Sequence, residues 1–209
     1  MAGSSTRPVV VGWDATLASV GALDLAADEA MARVVPLVVV SIVEPPLDPD
    51  LEQHRRLLDL AVSRAVAEHP GLSVSGDLVH GTPVEALLAH SHHACLLVVG
   101  HTHSADHSVA ERVAVGAPVP VIVYRPFTAR SARGRPVLVG VDEPDHTGPT
   151  VAFATIEAAL RGVPLTELPP GHVLPDLVVA SHHAGLVVSD TPHLRALIER
   201  AECPIGIVG

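Results

Sequence analysis

The chain of 209 residues contains two related segments in tandem. Four stretches of the first half recur in the second half in the same order: RPVVVGWD (7–14) as RPVLVGVD (135–142), AADEAMARVVPL (26–37) as ATIEAALRGVPL (154–165), SHHACLLV (91–98) as SHHAGLVV (181–188), and APVPVIV (117–123) as AECPIGIV (201–208). The separation between matching stretches becomes shorter along the chain, since position 7 aligns with 135, position 91 with 181 and position 117 with 201. We therefore interpret the second segment as a shortened copy of the first.

Apolar runs and helix-like segments alternate along the first copy. The runs are rich in Val, Leu, Ile and Ala, which is typical of parallel strands buried on both faces. They lie at 8–13, 35–43, 72–79, 95–99 and 119–124, with helix-like segments near 16–33, 51–68, 83–93 and 108–116. This order predicts an α/β fold with a doubly wound parallel sheet. The second copy retains four strands and three helices, because PPGHVL (169–174) replaces one helix and one strand.

A polar stretch separates the two copies. RPFTARSARGRP (125–136) carries four of the thirteen arginines together with proline and glycine, a composition typical of a linker. We predict a first domain at 1–126, a linker at 127–134 and a shortened second domain at 135–209.

Charge and composition exclude several functions. The net charge is −10 and every basic residue is arginine, which argues against a nucleic-acid partner or an anionic membrane surface. The absence of lysine removes the Walker lysine and any Schiff-base chemistry. The longest apolar stretch, 34–43, is too short to span a bilayer, and MAGSSTRP at the start lacks the apolar core of a secretion signal. We expect a cytoplasmic protein.

Taken together, these segments resemble the universal stress protein family in its tandem form. The resemblance is carried by VVVGWD and the Ala-rich helix after it, by HGTPVEALLAHSHHACLLVVG (80–100), and by HSVAERVAVGAPVPVIVYRP (107–126). It implies two Rossmann-like sheets of the adenine nucleotide hydrolase type, with strand order 3-2-1-4-5 in the first and a truncated second. It also implies a ligand site where the strand order reverses.

Members of this family that bind ATP are expected to carry a G-x2-G-x9-G-S/T loop after the fourth strand and an acidic residue at the end of the first. Asp14 and Asp142 match the acidic position, Gly100 the first glycine and Ser108 the hydroxyl. The other two glycine positions are His103 and His107, and the loop is about six residues short. The resemblance thus implies a residual site that could hold ATP or AMP only weakly, because converging backbone N–H groups and lysine are missing.

The histidines of this loop allow other interpretations. His101, His103 and His107 could ligate Zn, Ni or Cu together with Asp14 or Asp106, since imidazole suits these metals. They could also make the loop attract anions on mild acidification. The third interpretation is an exposed polar loop with no ligand.

The sequence contains no motif that pairs a nucleophile with a base. Together with the family resemblance, this implies a non-catalytic, stress-related binding or interaction protein with a degenerate ATP loop. The alternative is a small metal-assisted or phosphoryl-transferring hydrolase that uses His101, His103 and His107. We expect the two copies to pack against each other through the edge-like strands at 119–124 and 203–208. A homodimer and an unidentified protein partner stay open.

Overall fold

A computed structural model describes residues 6–44, 51–101, 109–126, 134–141, 148–169, 174–190 and 193–208. Strands and helices alternate throughout. The first half contains β1 (Val9–Trp13), α1 (Leu17–Arg33), β2 (Leu37–Val43), α2 (Leu51–Glu68), β3 (Val74–His80), α3 (Pro83–Ser91), β4 (Leu96–Gly100), α4 (Val109–Gly116) and β5 (Val121–Tyr124). The second half contains β6 (Val137–Gly140), α5 (Pro149–Arg161), β7 (Leu165–Glu167), α6 (Leu174–Ser181), β8 (Leu186–Ser189), α7 (Leu194–Arg200) and β9 (Ile205–Ile207).

The described strands form one nine-stranded sheet in the order β3-β2-β1-β4-β5-β9-β8-β6-β7. The α/β prediction is confirmed, and the first five strands have the predicted order 3-2-1-4-5. The two expected sheets are joined into one, because β5 and β9 pair with each other and neither is left with an open edge. This pairing is antiparallel, whereas all the other strand pairs are parallel.

Helices cover both faces of the sheet and divide the core into two apolar layers. One layer lies under α1, α2 and α5 and contains Leu23, Leu58 and Phe153. The other lies under α3, α4, α6 and α7 and contains Leu87 and Leu197. β4 is buried on both faces, in agreement with its unbroken apolar sequence. The layer under α1 and α5 is continuous between the two halves of the chain.

The second half follows the order of the first over the part that the structure describes. Its strands lie in the order β9-β8-β6-β7, which corresponds to β5-β4-β1-β2. Four strands and three helices are present, the numbers expected from the sequence. Residues 127–133 of the predicted linker lie outside the described residues, so the domain boundaries stay a prediction. In the described ranges, no helix combines the length and apolarity needed to cross a membrane.

Candidate functional site

A tight turn joins the end of β1 to the start of α1. The Asp14 carboxylate accepts hydrogen bonds from the backbone N–H of Thr16 (3.0 Å to Oδ1) and from its hydroxyl (2.6 Å to Oδ1). Thr16 in turn caps the helix, since its Oγ1 accepts from the N–H of Ser19 at 3.3 Å. Ala15 between them has a φ of 60°, a left-handed conformation that favours glycine. The turn holds the exposed Asp14 carboxylate beside the positive end of the α1 dipole.

Gly100 brings the end of β4 to the same edge. A Cβ atom built on Gly100 would lie 2.7 Å from the carbonyl carbon of Ala18 and 2.9 Å from the backbone nitrogen of Ser19. No side chain fits there, because the obstructing atoms belong to the backbone of the first turn of α1. Sequence reasoning assigned this glycine to a phosphate loop. That assignment stays a prediction, and what the structure shows at Gly100 is the close packing of β4 against α1.

His101 extends the pairing of β4 with β5. Its backbone N–H donates to the carbonyl of Tyr124 at 2.8 Å, and the residue as a whole is only 5% exposed. His103, His107, Ser108 and the neighbouring Asp106 lie outside the described residues, as does Asp142 in the second half. Convergence of the loop histidines on a metal ion therefore stays a hypothesis. Within the ranges that the structure describes, no three His, Cys, Asp or Glu side chains are grouped closely enough to hold a metal ion.

Trp13, the single tryptophan of the chain, precedes Asp14 at this edge. It lies opposite Ser41 in the β1–β2 register and packs into the apolar layer under α1 and α2. Its indole nitrogen is buried and has no hydrogen-bond partner among the described residues. Sequence reasoning did not assign a role to Trp13, because an aromatic residue that ends a buried strand looks like an ordinary core residue.

The end of β5 connects this edge to the second half. The Arg125 guanidinium donates from Nη1 to the carbonyl of Ala201, where α7 ends. Burial lowers the pKa of Arg125, and the carboxylate of Glu202 acts in the opposite direction. Burial raises the pKa of Tyr124, and the negative charge of Asp24 raises it further.

A group of four charged side chains, in which the glutamates are buried and the arginines are partly exposed, links α1 to α5. We call Glu29, Arg33, Glu157 and Arg161 the charge quartet. Arg161 Nη2 lies 2.6 Å from Glu29 Oε1 and 3.1 Å from Glu157 Oε2. Arg33 contacts both Glu29 and Glu157. Each arginine thus bridges the glutamate four residues earlier on its own helix and the glutamate of the other helix.

The electrostatics of the charge quartet follow from its burial. Burial raises the pKa of Glu157 and the nearby charge of Glu29 raises it further, whereas Arg33 and Arg161 act in the opposite direction. Burial disfavours the charged form of Arg33, but the carboxylates of Glu157 and Glu29 outweigh this effect and raise its pKa. Sequence reasoning missed the quartet, although the repeat contains its signal: E-x3-R occurs at 29–33 and again at the aligned positions 157–161.

The fold and this edge define an open doubly wound α/β protein of the Rossmann-like type, in which small ligands bind where the strand order reverses. A model of the universal stress protein family matches residues 5–125, more than half of the chain. The chain belongs to the universal stress protein family.

Two relatives among the mycobacterial proteins show how far the similarity extends. A universal stress protein of Mycobacterium tuberculosis is 32% identical over 170 residues, which cover 76% of this chain and 63% of that protein. A universal stress protein of Mycobacterium bovis is 32% identical over 183 residues, covering 75% of this chain and 61% of the relative. The chain thus matches less than two thirds of the length of these relatives.

Solved structures support the fold along nearly the whole chain. A universal stress protein from Archaeoglobus fulgidus matches 97% of this chain and 98% of its own with a TM-score of 0.77 at 13% identity, which shows the fold alone. Two shorter structures match at 26% identity with TM-scores of 0.50. One, a universal stress protein from Archaeoglobus fulgidus in complex with dAMP, covers 56% of this chain and 97% of its own. The other, a universal stress protein in complex with cAMP, covers 57% of this chain and 97% of its own.

Proposed function

We propose that the first half binds an adenine mononucleotide weakly at the carboxyl edge of β1 and β4 and performs no catalysis there. The observation that carries this proposal is the close approach of Gly100 to the first turn of α1, beside the Asp14 carboxylate. The end of β4, the start of α1 and the Asp14 carboxylate, which can accept hydrogen bonds, therefore lie together where the strand order reverses. The relatives in complex with dAMP and cAMP support an adenine mononucleotide as the ligand class.

A mononucleotide fits the residues better than ATP does. Micromolar affinity requires about 8 kcal/mol, and for ATP most of this must come from contacts to the phosphates. The proposed phosphate side consists of His103, His107 and Ser108 ahead of α4, with two histidines at glycine positions and no lysine in the chain. One phosphate could still be met by the free N–H groups at the start of α4.

The second half, 135–209, has a different proposed role. We propose that it is a shortened copy without a ligand site of its own, which pairs with the first half inside the same chain. The β5–β9 pairing and the charge quartet support this role. The proposal also includes a stress-related interaction with an unidentified protein and a cytoplasmic location. It includes no nucleic-acid or membrane partner.

The position of Trp13 allows a direct binding experiment. As the only tryptophan, adjacent to Asp14, it should report ligand binding through its fluorescence. We expect a saturable change with AMP or dAMP that weakens in Asp14→Asn, which removes the charge but can still accept hydrogen bonds in the turn. The matched control is Asp59→Asn, which removes the same charge from the exposed face of α2.

Two outcomes would contradict the proposal. Equal affinities in Asp14→Asn and in the unmodified chain would place the ligand elsewhere. Release of phosphate from ATP that is lost in His101→Ala, His103→Ala or His107→Ala would favour the hydrolase alternative instead.

A further inference from the structure

The shortened second half lacks the two elements that cover one flank of the first half. In the first half, α2 and β3 lie beyond α1 and β2, and β3 pairs with all seven residues of β2. The second half passes from β7 to α6 through residues 168–173, and no counterpart of α2 or β3 is present among the described residues. This leaves open what we call the α5–β7 surface, which consists of Ala152, Thr155, Ile156 and Ala159 on α5 and the outer edge of Leu165–Glu167.

The burial of matching residues on α1 and α5 shows the effect of this difference. Ala27 of α1 is only 1% exposed and lies in the apolar layer that α2 covers, whereas its counterpart on α5, Thr155, is exposed. Ile156, the next residue of α5, is 53% exposed. The α5–β7 surface thus has the position of an internal packing surface but faces solvent.

The outer edge of β7 also lacks its partner. Leu168 donates its N–H to the carbonyl of Val139 on β6 at 2.9 Å, so Leu165, three residues earlier, directs its peptide groups away from β6. The counterpart of Leu165 in the first half is Leu37, whose N–H donates to the carbonyl of Ser73, just before β3, at 2.9 Å. No strand of the described residues pairs with the outer edge of β7. A strand that runs parallel to β7 can occupy this edge.

The α5–β7 surface differs from the matching surface of α1 in charge. Two acidic residues of α1 contact two basic residues of α2: Asp24 with Arg64 at 2.9 Å, and Asp28 with His69 at 3.1 Å. The counterparts of the two acidic residues on α5 are Ala152 and Ile156. Across the helices of the described residues, α5 alone has no exposed charged residue. A helix that packs here must therefore be uncharged where α2 is basic.

We propose that the α5–β7 surface binds a helix–strand unit of a different protein chain. The helix of this unit takes the place that α2 has in the first half, and its strand pairs in parallel with β7. The buried face of the helix carries small aliphatic residues, as α2 does with Leu58, Ala61 and Ala65. It carries no charge at the position of Arg64, because a charge there would be buried against Ala152 without a partner.

A second copy of this chain does not fit the α5–β7 surface. The α2 and β3 elements of each copy are already packed on its own α1 and β2. Two copies that joined their β7 edges would hold their α5 helices about four strand spacings apart, since α5 lies over β6 and β8. This distance is about 19 Å, whereas packed helices lie about 8–10 Å apart. The space between them has the width of one more helix.

This inference rests on the protein interaction included in the proposed function, for which it gives a surface and a kind of partner. It does not depend on the nucleotide site. Ala152 and Ile156 lie on α5 in the second half, whereas Asp14 and Gly100 lie in the first half. Binding of AMP can therefore be measured in the same samples as an independent property.

The test titrates the full chain with two fluorescently labelled peptides that span residues 51–80, the range of α2 and β3. One peptide has the native sequence, and the uncharged peptide carries Arg64→Leu and His69→Leu. We expect the uncharged peptide to bind the unmodified chain saturably in fluorescence anisotropy. It should bind at least about tenfold more weakly to the chain with Ala152→Asp and Ile156→Asp. The native peptide should show the reverse preference, because the double variant recreates the acidic pair of α1.

Val179→Asp is the matched control variant. It adds the same charge at a residue of α6 that is 66% exposed, and α6 covers the opposite face of the sheet. This variant should bind the uncharged peptide as the unmodified chain does. At micromolar concentrations neither peptide competes with the chain's own α2, whose effective concentration is about millimolar.

Three results would overturn the inference. The first is the absence of saturable binding of the uncharged peptide, and the second is equal binding of this peptide by the unmodified chain and the double variant. Binding of AMP by the same samples separates these failures from a failure of the nucleotide site. The third is a dimer of the unmodified chain in sedimentation velocity that Ile156→Asp dissociates and Val179→Asp does not, because a second copy would then occupy the surface.

Discussion

Arg161 on α5 donates from Nη2 to Glu29 Oε1 on α1 at 2.6 Å, and Arg33 on α1 donates from Nη2 to Glu157 Oε1 on α5. These two helices belong to different halves of the chain and meet over one continuous apolar layer. Removing one partner of a buried ion pair strongly destabilises the folded protein, because the remaining charge stays desolvated. The charge quartet therefore predicts that the folding of the two halves is coupled.

Glu157→Ala should lower the free energy of unfolding by about 3–5 kcal/mol, since Glu157 is fully buried and Arg33 and Arg161 would lose a carboxylate. Urea denaturation followed by Trp13 fluorescence measures this change. Glu52→Ala is the matched control, because Glu52 pairs with Arg56 four residues later on an exposed face of α2. Its effect should be about 0.5 kcal/mol or less. Similar losses in the two variants would contradict the coupling.

Val34→Gly should stabilise the protein by about 1 kcal/mol. Val34 ends α1 in a left-handed conformation with a φ of 55°, and the residue is 87% exposed, so little packing is lost. The corresponding residue at the end of α5 is Gly162, with a φ of 63°. Gly162→Val should destabilise by a similar amount. Thermal unfolding of both variants checks the pair, and a lower melting temperature for Val34→Gly would contradict it.

Gly100→Ala should lower stability by about 1–3 kcal/mol, because the new methyl group is forced against the backbone of Ala18 and Ser19. We also expect weaker AMP binding, since the start of α1 must shift next to Asp14. Gly116→Ala is the control: it adds the same methyl group at the end of α4, where the nearest atoms are the methyl carbons of the flexible Leu88 side chain at 3.2 Å and not backbone atoms. Equal stability and equal AMP binding in the two variants would show that β4 and α1 are not tightly packed.

Cys203 predicts a specific dependence of stability on pH. Burial raises the pKa of its thiol from 9.0 to about 12. Between these values the unfolded chain has released the thiol proton while the folded chain keeps it, so stability falls as the pH rises. Cys203→Ala removes this contribution. Urea titrations from about pH 9 to 11 should therefore give a shallower decline in the variant than in the unmodified chain. Parallel declines would show that the thiol titrates normally.

The fold could be predicted from the sequence because the apolar runs and helix-like segments recur in the same order in both copies. The helix expected near 16–33 is observed as Leu17–Arg33, and the apolar run 95–99 as Leu96–Gly100. The charge quartet could not be predicted in this way. In sequence, Glu29 and Arg33 form an ordinary i,i+4 pair of the kind found on exposed helices. Their burial arises only where α1 packs against α5.

The positions of two candidate site residues could be predicted, whereas their role in ligand binding stays a prediction. Asp14 and Gly100 were identified by position, and the structure places both at the carboxyl edge next to the start of α1. The packing role of Gly100 was missed, since the first turn of α1 is distant from it in sequence. The left-handed turn at Ala15 was missed as well, because alanine carries no signal for a positive φ.

Isothermal titration of the unmodified chain with AMP and with ATP at about pH 7.5 tests the proposed nucleotide site most directly. We predict that AMP binds with a Kd weaker than about 100 μM and that ATP binds no more tightly, because the loop cannot meet three phosphates. A repeat at about pH 5.8 shows whether protonated histidines strengthen either ligand. ATP-selective binding with a Kd of about 1 μM at the higher pH would contradict the degenerate site and show that His103 and His107 can replace the expected glycines.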